Sequence, residues 1–190
     1  MEEKSWIDES KIRRVVENST SLFKGSRFDV HRLELTTFGE GHCWDFVVHP
    51  GAVTILPILE EDRIILIRNK RHAVDEILWE LPAGTLEASE SPLLTAQREL
   101  IEETGYCAGT MRPLLDFYTT PGICNEVMHS FLAEELTYQG QQLDDTENIV
   151  VEILPFDEVL KMVHEGIIHD GKTLVVLLYY ACMLKNRQSF

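Results

Sequence analysis

Positive charge is what this chain has least of. Its 190 residues hold 17 Lys and Arg against 32 Asp and Glu, a formal net charge of −15. So acidic a surface repels phosphate backbones and anionic headgroups, which excludes nucleic acid and membrane as main partners. Cysteine is scarce and scattered. Cys43, Cys107, Cys124 and Cys182 form no CxxC pair and no Cys/His zinc spacing, so neither a disulfide framework nor a structural zinc is expected. Free thiols in a reducing cytoplasm are. Long hydrophobic runs are missing too. The longest, Leu174–Leu184, is too short to span a bilayer and reads as a buried helix. The opening MEEKSWIDES has no apolar run of the kind a secretory signal carries. What remains is 44% hydrophobic and 26% charged, enough to build a core without cross-links. The acidity also sets a demand: acting on anionic substrates would require bound cations and a few placed arginines.

Periodicity and punctuation divide the chain without repeats or Gly/Ser linkers. A short helix is expected around Ile7–Val16, then strands near Phe28–Thr37 and His42–His49 with Gly39 and Gly41 at the turn. Pro50-Gly51 marks a break, giving an N-terminal antiparallel β extension over 1–49 and a main domain over 50–190. In the latter, strands are expected at Ala52–Leu59, Ile64–Arg68, Leu114–Tyr118, Val127–Ala133 and Ile149–Leu154. Ser91-Pro92 opens a helix that Gly105 stops. Two more helices follow, from Asp157 to His164 and from Lys172 to Leu184. Strands and helices mix without strict alternation, so the fold class is α/β (α+β) and not a parallel doubly wound sheet.

The chemistry concentrates in Arg98-Glu99-Leu100-Ile101-Glu102-Glu103. The carboxylates at i, i+3 and i+4 share one helical face. Like charges so placed destabilise a bare helix and call for cations. Oxygen-only ligands suit a hard divalent ion such as Mg²⁺, which would offset phosphate charge and activate a water for attack. Leu93, Leu94, Ala96 and Leu100 form the opposite, sheet-packing face, and Arg98 can pair with Glu90. An isolated Glu-x-x-Glu-Glu is ordinarily a solvated face. Here it stands in a longer frame: Gly84, five residues, Glu90, seven residues, then Arg98-Glu99-Leu100-Ile101-Glu102-Glu103-Thr104-Gly105-Tyr106. These fixed identities would meet by chance in roughly one chain in a million or fewer.

That frame resembles the Nudix box in full, with an aromatic Tyr106 where an aliphatic residue is commoner. The resemblance implies an α/β/α sandwich with a mixed central sheet. It further implies a loop–helix–loop that binds Mg²⁺ or Mn²⁺, and hydrolysis of a nucleoside diphosphate linked to another group. It makes Glu99 and Glu103 the principal metal ligands, Glu102 a third, and the Ala83 carbonyl a further one. Glu90 and Arg98 become the pair that orients the helix. The runs His49–Val53, Arg68–Arg71, Glu80–Gly84, Tyr118–Gly122 and Glu165–Thr173 are similar to ADP-ribose pyrophosphatases. Asn69-Lys70, where that group often has Gln-Tyr, leaves the sugar open.

The implied reaction cuts ADP-ribose, or a related nucleoside diphosphate sugar, into a nucleoside monophosphate and a sugar phosphate. Hexose conjugates such as ADP-glucose or GDP-mannose are the alternative substrates, and a binding domain that no longer cuts is the alternative class. The general base is expected from the loop Leu143–Asn148, Glu147 first and Asp145 second, with Glu147 also a candidate metal ligand. Arg71 is the expected clamp for a phosphate or ribose, and Arg68 the runner-up or merely solvated. Glu80 is read as binding ribose hydroxyls or as ending a strand. Trp44 and Phe46 either meet the base or fill the N-terminal sheet's core, and Pro121 belongs to the substrate loop. The N-terminal strands suggest a homodimer completing a shared site. No histidine shows ligand spacing.

Overall fold

In the computed structural model, residues 7–38, 41–88, 90–143 and 148–188 are described. The chain divides into two compact units, residues 1–52 with 116–128, and residues 53–115 with 129–190. The first unit thus takes in a later segment, 116–128, that the break at Pro50-Gly51 assigns to the main domain.

In the first unit, α1 (Glu9–Glu17) precedes a three-stranded antiparallel sheet of β1 (Thr20–Lys24), β2 (Asp29–Glu34) and β3 (Cys43–Val48) in that order. Asp8 caps α1 by accepting from the Ser10 N–H. Strand β1 lies outside every sequence expectation because each of its residues is exposed, so no alternation marks it. The β2–β3 register places Arg32 opposite Asp45, and the two form a bidentate ion pair at 2.6 and 2.7 Å. It also puts Trp44 and Phe46, two residues apart, on one face. A parallel bridge joins Val47 to Cys124, and Asn125 Oδ1 accepts from the His49 N–H at 2.7 Å.

The seven-stranded sheet has the order β10 (Ile149–Pro155), β5 (Arg63–Arg71), β4 (Ala52–Leu59), β9 (Val127–Tyr138), β8 (Tyr106–Tyr118). Strand β6 (Glu76–Glu80) adds to β5 and β7 (Ala83–Thr85) to β4. Helices α2 (Pro92–Thr104), α3 (Phe156–His164) and α4 (Gly171–Gln188) complete a mixed α/β fold with a mixed central sheet. Consecutive residues Val53, Thr54, Ile55 and Leu56 of β4 are all fully buried. Side chains alternate along a strand, so both faces of this sheet are covered. On one face Val53, Ile55, Phe131 and Ala133 meet Ala96 and Leu100 of α2.

Two expected faces need correction. Ala96 and Leu100 are buried, but Leu93 and Leu94 are 40% and 55% exposed. The buried stripe of α2 runs instead through Thr95, Ala96, Leu100, Glu103 and Thr104. Helix α4 is apolar on most sides, yet Val176 and Leu177 are buried while Val175, Leu178 and Tyr179 are exposed. It is a half-buried helix and not a fully buried one.

Candidate active site

The site grows from α2. Ser91 caps it by accepting from the Leu94 N–H, and Pro92 occupies its first turn, where a missing N–H costs nothing. Gly105 ends it in the left-handed region, at φ 78°, and donates its N–H to the Ile101 carbonyl. These caps fix which residues face the strand Ala83–Thr85, against which α2 packs. Gly84 lies on that strand directly over Glu99. A Cβ there would stand 1.9 Å from Cδ and Oε1 of Glu99. Only a residue without a side chain allows the carboxylate this position.

Each acidic residue of the box is held by a neighbour. Glu103 is 3% exposed and its Oε2 accepts the Ala83 N–H at 2.8 Å. This contact ties the start of β7 to α2. Arg98 sits among four carboxylates, one of them Glu87 at 3.9 Å. Its Nε and Nη2 donate to Glu90 at 3.1 and 3.0 Å, and its Nη1 donates to both Glu99 and Glu102 at 2.8 Å. The bonds to Glu90, then the charge of Glu99 and the bonds to Glu102 and Glu99, hold the guanidinium above its ordinary pKa against the effect of burial. Arg98 in turn holds the Glu90 carboxyl below its usual range, with a further bond from Thr95 Oγ1 at 2.9 Å. Glu90 and Arg98 therefore act as a strut from the loop to the helix.

This geometry suits a divalent cation. The donors are carboxylates and a carbonyl, the oxygen set a hard cation takes. The hollow under Gly84 is one that any Cβ would fill. Among the described residues no three His, Cys, Asp or Glu groups already converge into a closed cage. Instead Nη1 of Arg98 supplies the positive charge between Glu99 and Glu102. The residues fit an open, partly assembled cation site.

The loop expected to carry the base lies partly outside the described residues, and Glu147, Asp145 and Asp144 fall there. Its flanks are described. Gln139 and Gly140 donate backbone N–H groups to the Gly105 carbonyl, and Gln142 donates to the Glu102 carbonyl at 3.0 Å. Gln141 Nε2 donates to the carbonyls of Glu103 and, at 3.3 Å, of Ile149. Residues 139–142 are thus tied to the C-terminal end of α2, and Gln141 is also tied to Ile149. Sequence reasoning missed Gln141, whose only signal is an amide side chain next to the turn at Gly140.

Arg71 and Glu80 stand on the two strands of the β5–β6 hairpin, opposite Glu76 and Ile67 respectively, and their side chains meet along the hairpin. Arg71 Nε and Nη2 donate to the two oxygens of Glu80 at 2.7 and 2.6 Å. Glu80 is fully buried, and it also accepts from Lys172 Nζ. Its carboxylate is engaged by two cations, which favours the structural reading over ribose binding. The Glu80 bonds raise the Arg71 pKa despite burial, with added attraction from Glu103 and Asp170. Arg68 lies elsewhere on β5, with its guanidinium 5.5 Å from the centre of the Trp79 ring. That stacking accounts for Arg68 without a substrate.

In the first unit, Trp44, Phe46 and Pro121 line one apolar cavity of about 270 Å³, together with Ile12, Val15 and Tyr118. Phe46 is 8% exposed and Trp44 52%. The ring of Phe46 is core-like, while that of Trp44 is open enough to meet a ligand.

Comparison with known proteins agrees with this geometry. The description of the NUDIX domain matches residues 48–174. The chain is 38% identical over 162 residues to a Bacillus subtilis ADP-ribose pyrophosphatase, covering 83% of this chain and 87% of that protein. It is 37% identical, with the same coverages, to the methanol dehydrogenase activator of Bacillus methanolicus. A GDP-mannose pyrophosphatase of Klebsiella pneumoniae is 37% identical over 139 residues, 68% of this chain and 69% of that one. Among solved structures, an ADP compounds hydrolase superposes with a TM-score of 0.75 at 22% identity, over 90% of this chain and 93% of that one, which speaks for the fold. Box, fold and relatives together place the chain in the NUDIX domain family.

Proposed function

We propose that this protein hydrolyses the pyrophosphate bond of ADP-ribose or a closely related nucleoside diphosphate sugar, releasing a nucleoside monophosphate and a sugar phosphate. The observation that carries the reading is the seat of Glu99 beneath Gly84, beside Glu102 and the buried Glu103. A chain needs this arrangement for cation-assisted phosphate chemistry and has no use for it as a solvated face. A pyrophosphatase of ADP-ribose and one of GDP-mannose among its relatives support the substrate class.

Glu99, Glu102, Glu103 and the Ala83 carbonyl would hold Mg²⁺ or Mn²⁺. When bound, the cation would offset phosphate charge and make a water more acidic. The chain's own residues supply the rest. Glu90 and Arg98 hold α2 in register with its preceding loop. Arg71, with Nη1 unbonded among the described residues, would receive a phosphate oxygen. Glu147, or else Asp145, would accept the proton of the attacking water; the family resemblance and the acidity of Leu143–Asn148 support this reading. Trp44 would contribute to seating the base, and Pro121 to shaping its loop.

Nucleoside diphosphate hexoses are the second reading, favoured by the GDP-mannose relatives. Comparing kcat/KM for ADP-ribose, ADP-glucose and GDP-mannose decides between them. ADP-ribose should be preferred, and a hexose conjugate turned over faster would reassign the substrate. The protein should also be a cytoplasmic homodimer, associated through the exposed N-terminal strands, where Leu22, Phe23 and Phe28 are 48%, 56% and 47% exposed. Sedimentation at micromolar concentration should give twice the chain mass of 21.8 kDa, and a monomer alone would refute this.

A further inference from the structure

The N-terminal turn of α4 reaches back to the hairpin that carries Arg71. Asp170 caps the helix, accepting from the Thr173 N–H at 3.0 Å and from its hydroxyl at 2.7 Å. The Thr173 hydroxyl in turn accepts the buried Leu81 N–H at 2.9 Å. Between them Lys172 donates to Asp170 at 3.0 Å and to Glu80. The side chains of Lys172 and Asp170 are 11% and 17% exposed, that of Glu80 is wholly buried, and that of Arg71 is 39% exposed. Burial alone would raise the Asp170 carboxyl, but Lys172 and Thr173 bring it below its ordinary value.

Charge counting gives this cluster a purpose. The bonded cluster of Arg71, Lys172, Glu80 and Asp170 sums to zero, and Glu103 acts on Arg71 from outside it. Without Lys172, two poorly solvated carboxylates would face a single guanidinium. The local charge would then be negative, in a chain that already carries −15. Without Lys172, Asp170 would add to Glu80 in offsetting Arg71, and an arginine so over-compensated attracts an incoming anion weakly; Lys172 cancels that excess. The geometry is equally specific. Glu80 grips Arg71 through Nε and Nη2 and turns Nη1 away from itself.

We propose that Lys172 is a positioning residue for anion binding. It balances Glu80 and Asp170, so that Arg71 stays both oriented and electropositive toward a diphosphate. The proposal rests on the reading of Arg71 as the phosphate receptor. Lys172 itself acts through Glu80.

The test uses the full-length Lys172→Met protein and the double variant Lys172→Met/Asp170→Asn. Asn keeps the helix cap, leaves the Arg71–Glu80 fork intact and restores charge balance. KM for ADP-ribose should rise about tenfold or more in Lys172→Met, the scale expected for unbalancing a buried charge pair at a binding site. Its kcat should stay within a few-fold. Inorganic pyrophosphate, titrated calorimetrically in magnesium buffer, should lose affinity in parallel. The double variant should recover most of both losses, which a merely structural lysine would not allow. An unchanged KM in folded Lys172→Met, or a rise that Asp170→Asn leaves in place, overturns the proposal. If Lys172→Met does not fold, the double variant decides alone: a near-wild-type KM supports the proposal and a raised one overturns it. Should the wild type cleave no diphosphate sugar yet bind pyrophosphate, and Lys172→Met bind it more weakly, the substrate reading fails while the charge network stands.

Discussion

Glu99→Gln should abolish most turnover without weakening the fold. Glu99 lies in the hollow under Gly84 and shares Arg98 Nη1 with Glu102. Losing its charge removes a ligand from the proposed cation site. Cation stabilisation of a phosphoryl transition state is worth several kcal/mol, and each ~1.4 kcal/mol is tenfold in rate, so a fall of about a thousandfold is expected. The metal concentration needed for half-maximal rate should rise as well. Thermal stability should hold or improve, because one of three like charges on a helical face is gone. Glu147→Gln provides the contrast. As the proposed base, it should lower kcat steeply while KM stays near its wild-type value. A Glu99→Gln enzyme of ordinary kcat would remove the box from the chemistry, and an unchanged Glu147→Gln would remove the loop carboxylate.

Gly84→Ala should be nearly as damaging, by a different route. The added Cβ would fall 1.9 Å from Cδ and Oε1 of Glu99 and 2.4 Å from its Cγ. What it strikes is the far end of a flexible side chain, so Glu99 can swing aside and the fold need not shift. The carboxylate is then displaced from its working position by an ångström or more. Misplacements of that size cost about a hundredfold in rate. Activity should therefore drop by about that factor while the melting temperature barely moves. A large loss of stability would instead mean that Gly84 serves packing.

The contrast between these two residues shows what a sequence can convey. The helix Pro92–Thr104 was legible because its boundaries are written in residue types: Ser91 to cap, Pro92 to start, Gly105 to stop. The spacing of Glu99, Glu102 and Glu103 then followed from helical geometry. The reason for Gly84 was not legible, since it depends on a strand laid across that helix. Strand β6 is legible only at its end, in the reading of Glu80 as ending a strand, because Glu76–Glu80 is short and begins with two exposed residues straight after a turn. The apolar pattern places the start of β8 at Leu114. It begins at Tyr106 and runs through Gly109 and Pro113, which the last strand in the sheet order tolerates. Hydrophobicity alone places Leu93 and Leu94 in the core, but they fall in the first turn, outside the buried stripe. The Lys172–Glu80 contact joins residues 92 positions apart. No local pattern announces such a pairing, although a lysine at the mouth of an otherwise apolar helix was a hint that its charge needed a partner.

The identity of the bond that is cut tests the whole account. ADP-ribose incubated with the wild-type protein and Mg²⁺ should yield AMP and ribose 5-phosphate in equal amounts, with the reaction halted by chelation of the metal. ADP and free ribose as products, or no cleavage of any nucleoside diphosphate sugar by folded protein, would contradict it.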